Sequence, residues 1–69
     1  MSLVKRSLSL SGHQTSVALE PEFWSALETM AGAEGVTVSA LLRRLDETRG
    51  GRPLASAARV AALGWAMKG

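Results

Sequence analysis

Small and polar side chains occupy every second position between Gln14 and Ala18, where Gln14, Ser16 and Ala18 share one face of a predicted strand. A glutamine amide can pair with adenine in two directions, and a serine hydroxyl can donate or accept a hydrogen bond. An alanine methyl can contact the methyl group of thymine. The three residues are therefore candidate base contacts. A solvated strand face would carry the same residues, so the pattern alone leaves both interpretations open.

A small basic patch near the start of the chain could bind phosphate. Lys5 and Arg6 are adjacent, and His13 follows a few residues later. Cationic side chains on such an arm contact the phosphates of nucleic acids. Two basic residues near a terminus are equally compatible with simple solvation, and one histidine alone makes no catalytic site.

A second candidate phosphate site is the predicted start of a helix at Thr37, Val38 and Ser39. The first N–H groups of a helix lack intrahelical partners, and the positive end of the helix dipole favours anions. Thr37 is the predicted N-cap, with Ser39 as a second candidate. An ordinary capped helix start has the same residues, so the motif alone does not indicate a ligand.

Catalytic and metal-binding patterns are absent from the sequence. The chain has no cysteine and a single histidine, so a metal site would need carboxylates or a second chain. There is no phosphate-binding loop, no dinucleotide-binding glycine pattern and no Ser-His-Asp set. We therefore expect no enzymatic activity and no cofactor. Trp24 and Trp65 could stack on a ligand, but tryptophans on an apolar helix face are more often core or interface anchors.

The elements that would position these residues begin with a strand region over residues 4–20. Residues 4–11 and 14–19 both alternate, but the apolar residues are even-numbered in the first stretch and odd-numbered in the second. A one-residue slip moves every side chain to the other face of a sheet. Gly12 is the natural site for a turn or bulge that absorbs the change. Whether the first strand folds back as a hairpin or continues through a bulge stays open.

Three helices are predicted after the strands: helix A over 21–34, helix B over 38–49 and helix C over 54–67. Pro21 suits the first helical position, and Gly35 suits the position just after a helix. Helix C is rich in alanine and apolar nearly all round, which predicts burial on more than one side.

The chain has 69 residues and is expected to form one domain over 1–69. A core of this size is marginal without disulfides, a metal or a second subunit. Because 46% of the residues are hydrophobic, we expect a homodimer that shares its core. The predicted dimer core consists of Val17, Leu19, Phe23, Leu27, Leu41, Leu42 and Leu45.

The formal net charge of +2 permits binding to nucleic acid without demanding it. The sequence starts without the apolar run of a signal peptide, and no stretch reaches the roughly 18–20 apolar residues of a membrane span. We therefore expect a cytoplasmic protein with no membrane contact. The first residues, Met1–Leu3, fit a native start and an expression-vector start equally well.

The order of strand, helix, Gly35-x-Thr37-x-Ser39 and helix resembles the ribbon-helix-helix superfamily of Arc/MetJ/CopG-like repressors. That likeness runs over about residues 14–50. The sequences Lys-Arg-Ser-Leu-Ser-Leu-Ser-Gly-His at 5–13 and Glu-Phe-Trp at 22–24 are similar to a small bacterial subfamily, over nearly all of the chain.

The resemblance implies a mostly α fold with a short β-ribbon, an intertwined homodimer with an additional C-terminal helix, and sequence-specific binding to double-stranded DNA. By the same resemblance, a ribbon of two chains enters the major groove. Gln14, Ser16 and Ala18 then take the base-contact positions, and Thr37, Val38 and Ser39 the phosphate-contact positions. Many members of the superfamily carry Arg, Lys or Thr where this chain has smaller residues.

The role that the sequence favours is a transcriptional regulator, active as a homodimer or as a higher-order assembly on tandem sites. One alternative is a protein–protein interaction module on the same dimeric scaffold, with helix C as the partner surface. Another is the antitoxin of a toxin–antitoxin pair. Antitoxins usually carry a disordered tail that wraps the toxin, whereas the tail here is an apolar helix, which makes this alternative weaker.

Overall fold

The computed structural model describes residues 2–68 as a β-hairpin followed by three helices. Its elements in chain order are β1 (Val4–Leu10), β2 (His13–Leu19), α1 (Pro21–Glu34), α2 (Val38–Thr48) and α3 (Leu54–Met67). The predicted short β-ribbon, the two following helices and the additional C-terminal helix are thus confirmed. Met1, part of the start whose origin the sequence left open, lies outside the described residues, as does Gly69.

The two strands pair with each other in one chain, antiparallel, from Val4 opposite Leu19 to Leu10 opposite His13. Ser11 and Gly12 connect them with φ angles of 51° and 83°. Two consecutive positive φ angles are the pattern of a type I′ turn, whose twist matches that of the flanking strands. Each pair joins an even-numbered residue to an odd-numbered one, which explains why the apolar residues change parity at the turn. Of the two alternatives, the hairpin is confirmed.

The helix boundaries follow from local backbone chemistry. Pro21 begins α1, and Gly35 ends it in the left-handed conformation with φ 69°. The side-chain oxygen of Thr37 accepts a hydrogen bond from the backbone N–H of Ala40 at 3.0 Å, which confirms Thr37 as the N-cap of α2.

The second helix is one residue shorter than predicted, because it ends at Thr48 and Arg49 is its C-cap. Gly50 follows with a φ of 62°, a left-handed conformation in which a helix cannot continue. The Arg49 guanidinium then donates to Asp46 at 2.6 Å and to the backbone oxygen of Arg52 at 2.7 Å. These bonds tie the end of α2 to the connection that leads into α3.

The helices cover one face of the hairpin. In the packing, α2 lies against β1 and α3 against β2, while α1 packs against both of these helices. Between them lies a core contributed by all five elements. The buried apolar residues are Leu10, Val17, Leu19, Trp24, Leu27, Met30, Ala31, Leu41, Leu42, Ala58 and Ala62.

Five of the seven residues predicted to form a dimer core are buried within this single chain. They are Val17, Leu19, Leu27, Leu41 and Leu42. Phe23 and Leu45 are half-buried and pack against the same cluster. Their burial does not depend on a second chain, so a core shared between two chains remains a prediction.

The third helix is buried on one side only. Ala58 and Ala62 face the core, whereas Val60, Leu63 and Met67 are 51%, 58% and 76% exposed. The predicted burial of α3 on more than one side is therefore not met within one chain. No helix among residues 2–68 is long and apolar enough to cross a membrane.

Candidate nucleic-acid interface

The three predicted base-contact residues share the face of the hairpin that points away from the helices. Gln14 and Ser16 are exposed, and Ala18 is half-buried. Their neighbours Val17 and Leu19 are buried in the core, because side chains alternate between the two faces of a strand. The outward-facing residues of β2 are thus available to a ligand.

The first strand adds three residues to the same face. Register places Lys5 opposite Ala18, Ser7 opposite Ser16 and Ser9 opposite Gln14, and Lys5, Ser7 and Ser9 are all exposed. We call this six-residue surface the ribbon face: Lys5, Ser7, Ser9, Gln14, Ser16 and Ala18. Sequence reasoning did not include Ser7 and Ser9 among the base contacts, because the pairing of the two strands was open. Their strict alternation with Leu8 and Leu10 was the available signal.

The two residues of the N-terminal basic patch point to opposite faces. Lys5 is on the ribbon face and forms no ion pair with any residue among 2–68. Arg6 lies on the inward face, with its guanidinium carbon 4.5 Å from the centre of the Trp24 ring and a nitrogen 3.1 Å from a carboxylate oxygen of Glu28. Only Lys5 therefore presents a free cation beside the candidate base contacts.

The indole of Trp24 anchors the start of the hairpin to α1. It is buried, and its Nε1–H donates a 2.7 Å hydrogen bond to the backbone oxygen of Val4. Together with Arg6 above the ring, this bond fixes the end of β1 from which Lys5 projects. The structure thus supports the interpretation of Trp24 as a core anchor. Trp65, by contrast, is 37% exposed.

At the other end of the hairpin, His13 is exposed beside the turn. It lines a cleft of about 300 Å³ together with Gln14 and, from α2, Asp46 and Arg49. The cleft lies on the side of the hairpin that the helices cover, and it brings the basic side chain of Arg49 near His13. Arg49 was not among the predicted site residues, since 35 residues of sequence separate it from Gln14 and only the packing of α2 on β1 brings them together.

The predicted phosphate site at the start of α2 is a formed helix N-terminus. Thr37 is exposed but its side-chain oxygen is occupied by the N–H of Ala40, and Val38 and Ser39 are half-buried. Within the described part of the chain, no hydrogen bond or ion pair links these three residues to the ribbon face. The ribbon face and the helix start are therefore separate candidate contact points.

The Glu20 carboxyl group has a shifted pKa. The pKa of Glu20 lies below its ordinary value of 4.5, because its own backbone N–H and then the Arg59 guanidinium hydrogen-bond to its charged form. The Arg59 Nε donates to the Glu20 carboxylate at 3.0 Å, and the guanidinium lies 5.9 Å from the centre of the Phe23 ring. This contact ties α3 to the junction between β2 and α1.

No group of three or more acidic, histidine or cysteine side chains among residues 2–68 is placed to hold a metal ion. Of the lysines and arginines in this range, Lys5, Arg43, Arg52 and Lys68 have no ion-pair partner within it. The chemistry that the ribbon face offers is therefore hydrogen bonding by hydroxyl and amide groups, with one free ammonium group.

Comparison with known proteins identifies this arrangement. A family model described as a ribbon-helix-helix domain matches residues 3–66. Among solved structures, an uncharacterized protein from Bordetella pertussis Tohama I is similar, with 38% sequence identity and a TM-score of 0.84. The similarity covers 96% of this chain and 57% of that chain, so the chain spans little more than half the length of that structure. No curated protein matches the chain.

Proposed function

We propose that this chain, which belongs to the ribbon-helix-helix domain family, is a sequence-specific DNA-binding protein and a transcriptional regulator that inserts its ribbon face into the major groove. Membership of the family supports a role as a DNA-binding regulator in general. The observation that carries the specific proposal is the ribbon face itself, whose polar side chains are solvent-exposed while the opposite face of the same hairpin contributes Leu10, Val17 and Leu19 to the core.

The chemistry of the ribbon face suits base recognition. Gln14 has the longest neutral side chain on it and an amide that pairs with adenine, while Ser16 can donate or accept and Ala18 can contact a thymine methyl. None of these groups is engaged in a side-chain hydrogen bond within residues 2–68. Base contacts by these groups would therefore break no side-chain hydrogen bond within residues 2–68.

Phosphate contacts would flank the base contacts. We assign a phosphate contact to Lys5, which is exposed on the ribbon face, and one to His13, which is exposed beside the turn and lies opposite Leu10 on the other face of the hairpin. We assign phosphate contacts also to Thr37, Val38 and Ser39, since the first N–H groups of a helix bind anions. Arg6 was predicted to contact phosphate as well, and it would have to leave Trp24 and Glu28 to do so.

A homodimer is part of the proposal. The exposed residues Val60, Leu63 and Met67 recur at positions that share one side of α3, and contiguous apolar surface of this kind marks protein contacts. A second copy of the chain that packs on this stripe would bury it. The same observation favours the second candidate function, an interaction module without DNA binding, in which α3 contacts another protein. The DNA-binding proposal also places the protein in the cytoplasm.

Selection of bound sequences from random duplex DNA tests the proposal, followed by affinity measurements on the selected site and on scrambled DNA. We expect a preferred site. Gln14→Ala should weaken specific binding by about 1–3 kcal/mol, the contribution of one good base contact, and leave binding to scrambled DNA unchanged. Ser16→Ala should act in the same direction with a smaller effect, and Ser25→Ala, an exposed serine on α1, is the matched control. If no site is enriched, or if Gln14→Ala binds the selected site like the parent, the interaction-module function replaces this one.

A further inference from the structure

We infer that β1 is a phosphate-contacting strand, on which the exposed hydroxyls of Ser7 and Ser9 bind the DNA backbone in a row with Lys5. The bases are then read by β2 alone, and β1 follows the edge of the groove. This assignment rests on the proposed function and deepens it, because neither the sequence nor the comparisons give Ser7 or Ser9 a ligand.

The first strand occupies one edge of β2 and leaves the other edge open. The two strands pair along their whole length, from Val4 opposite Leu19 to Leu10 opposite His13, and β2 pairs with no further strand among residues 2–68. The resemblance to the family implies a ribbon of two chains, and β2, which leads directly into α1, is the strand in the ribbon position. When β2 pairs through its open edge with β2 of a second copy, one β1 flanks the pair on each side.

The width of the major groove determines which of these strands lie over the bases. Neighbouring strands are about 4.8 Å apart, so each β2 axis lies about 2.4 Å from the midline of the ribbon and each β1 axis about 7 Å from it. The major groove is about 12 Å wide and admits a two-stranded ribbon, so its edges lie about 6 Å from its midline. The two β2 strands therefore fit between the edges, whereas each β1 lies over an edge, where the phosphates are.

The side chains on the two strands suit these two positions. The ribbon face has three rungs, in each of which a residue of β1 lies opposite one of β2: Ser9 with Gln14, Ser7 with Ser16, and Lys5 with Ala18. The β1 side offers an ammonium and two hydroxyls, all of which can donate hydrogen bonds to phosphate oxygens. The β2 side offers an amide, a hydroxyl and a methyl, which are groups that distinguish base edges.

The row on β1 is unoccupied by internal contacts and evenly spaced. The hydroxyls of Ser7 and Ser9 form no hydrogen bond within residues 2–68. Alternate residues of a strand are about 6.8 Å apart, so the row from Lys5 to Ser9 extends over about 14 Å. That length passes several phosphates, since each DNA strand carries one per about 3.4 Å of helix axis. The indole of Trp24 anchors β1 at the end where Lys5 lies.

Alanine variants of the two serines test the assignment on the selected site and on scrambled DNA. Phosphate contacts carry no sequence information. Ser7→Ala and Ser9→Ala should therefore each weaken binding to both DNAs by the same factor, about 2-fold to 10-fold per bound chain, the effect of losing one net hydrogen bond. A repeat of the selection with either variant should return the preferred site of the parent.

A charge-reversing test uses Ser9→Asp, which places a carboxylate against the DNA backbone. It should weaken binding to both DNAs more than Ser9→Ala does, and the difference should shrink as the salt concentration rises, because salt screens the repulsion. Ser25→Ala and Ser25→Asp, at an exposed position on α1, are the matched controls. Binding is compared at a temperature at which circular dichroism shows every variant to be folded.

The outcomes separate this inference from the proposed function. A loss of affinity for the selected site alone, or a changed base preference in the repeated selection, would show that Ser7 or Ser9 reads bases and would overturn the inference. Serine variants that bind both DNAs like the parent, while Gln14→Ala loses specific affinity, would also overturn it and leave the proposed function standing. If no site is enriched but the serine variants still weaken binding to scrambled DNA, the proposed function fails and the phosphate contacts stand.

Discussion

Lys5 and Arg6 are adjacent cations that the structure separates into two roles, and replacing each by alanine should change a different property. Lys5 lies on the ribbon face without an ion pair in residues 2–68, whereas Arg6 stacks on Trp24 and pairs with Glu28. We expect Lys5→Ala to weaken DNA binding with little effect on stability. We expect Arg6→Ala to lower stability and to leave the salt dependence of DNA binding unchanged.

The size of each effect follows from the contacts. A cation above an aromatic ring at a partly exposed site contributes about 0.5–1 kcal/mol. The Arg6–Glu28 pair adds little, because its side chains are 39% and 54% exposed and exposed ion pairs contribute about 0–1 kcal/mol. Arg6→Ala should therefore cost about 1 kcal/mol, which lowers the melting temperature of a domain this small by about 4–8 °C. Lys5→Ala should change the free energy of unfolding by less than about 0.5 kcal/mol.

DNA binding should respond in the opposite way, with a larger effect of Lys5→Ala than of Arg6→Ala. Each phosphate contact contributes about 0.9 to the slope of log affinity against log salt concentration, so Lys5→Ala should flatten that slope by about 0.9 per bound chain. The assays are fluorescence anisotropy with labelled DNA at several salt concentrations and urea unfolding followed by circular dichroism. Lys68→Ala, an exposed lysine without an ion pair in residues 2–68, is the control for overall charge. If Arg6→Ala flattens the slope and melts like the parent, then Arg6 contacts phosphate and its contacts with Trp24 and Glu28 are not maintained in solution.

The remaining predictions concern stability and assembly. Trp24→Phe removes the hydrogen bond to Val4 and leaves space in the core, so the free energy of unfolding measured in urea should fall by about 2–3 kcal/mol. Trp65→Phe, at an exposed position, should change the free energy of unfolding by less than about 1 kcal/mol. Equal effects would contradict the anchoring of the hairpin by Trp24. Because the pKa of Glu20 is lowered in the folded chain, its contribution to stability should be complete above pH 4.5 and disappear as the pH falls through the lowered pKa. The urea midpoint of Glu20→Gln should therefore approach that of the parent as the pH is lowered stepwise below 4.5, and a gap that does not narrow would refute this. Light scattering should show that the parent is a dimer and that the double variant Leu63→Glu with Met67→Glu is a monomer. A parent that is already monomeric would show that the exposed apolar residues of α3 do not pair two copies.

The strands and helices could be predicted from the sequence because most of their boundaries carry a local chemical signal. Pro21 and Gly35 delimit α1, and Thr37 caps α2, through bonds that involve only neighbouring residues. The alternating stretches gave the faces of the strands. In contrast, α2 ended one residue early, because Gly50 takes a left-handed conformation just after Arg49, and helix ends are the least definite part of such a pattern.

Only those residues of the candidate site that are related by alternation within one strand were predictable from the sequence. Gln14, Ser16 and Ala18 share a face by simple alternation, whereas Ser7 and Ser9 join them only through strand pairing, which alternation in one strand does not determine. The positions of Arg6 and Arg49 depend on Trp24 and on the packing of α2, contacts between residues distant in sequence. The predicted ribbon of two chains came from the resemblance and stays a prediction, while within the one chain β1 and β2 pair as a hairpin.

Ser11 offers a direct way to test the hairpin on which these assignments depend. It is the one residue other than glycine among residues 2–68 with a positive φ, at 51°, a conformation that side chains rarely adopt and that asparagine tolerates better than serine. Asn-Gly is the preferred pair for a type I′ turn, so Ser11→Asn should stabilise the chain by about 0.5–1 kcal/mol, measured as a higher urea midpoint with an unchanged slope. Ser11→Val, whose branched side chain fits this conformation poorly, should lower the midpoint. DNA binding by Ser11→Asn should equal or exceed that of the parent, because the turn lies outside the three rungs of the ribbon face. If both variants unfold like the parent, Ser11 and Gly12 do not form this turn, and Ser7 and Ser9 lose their place opposite Ser16 and Gln14.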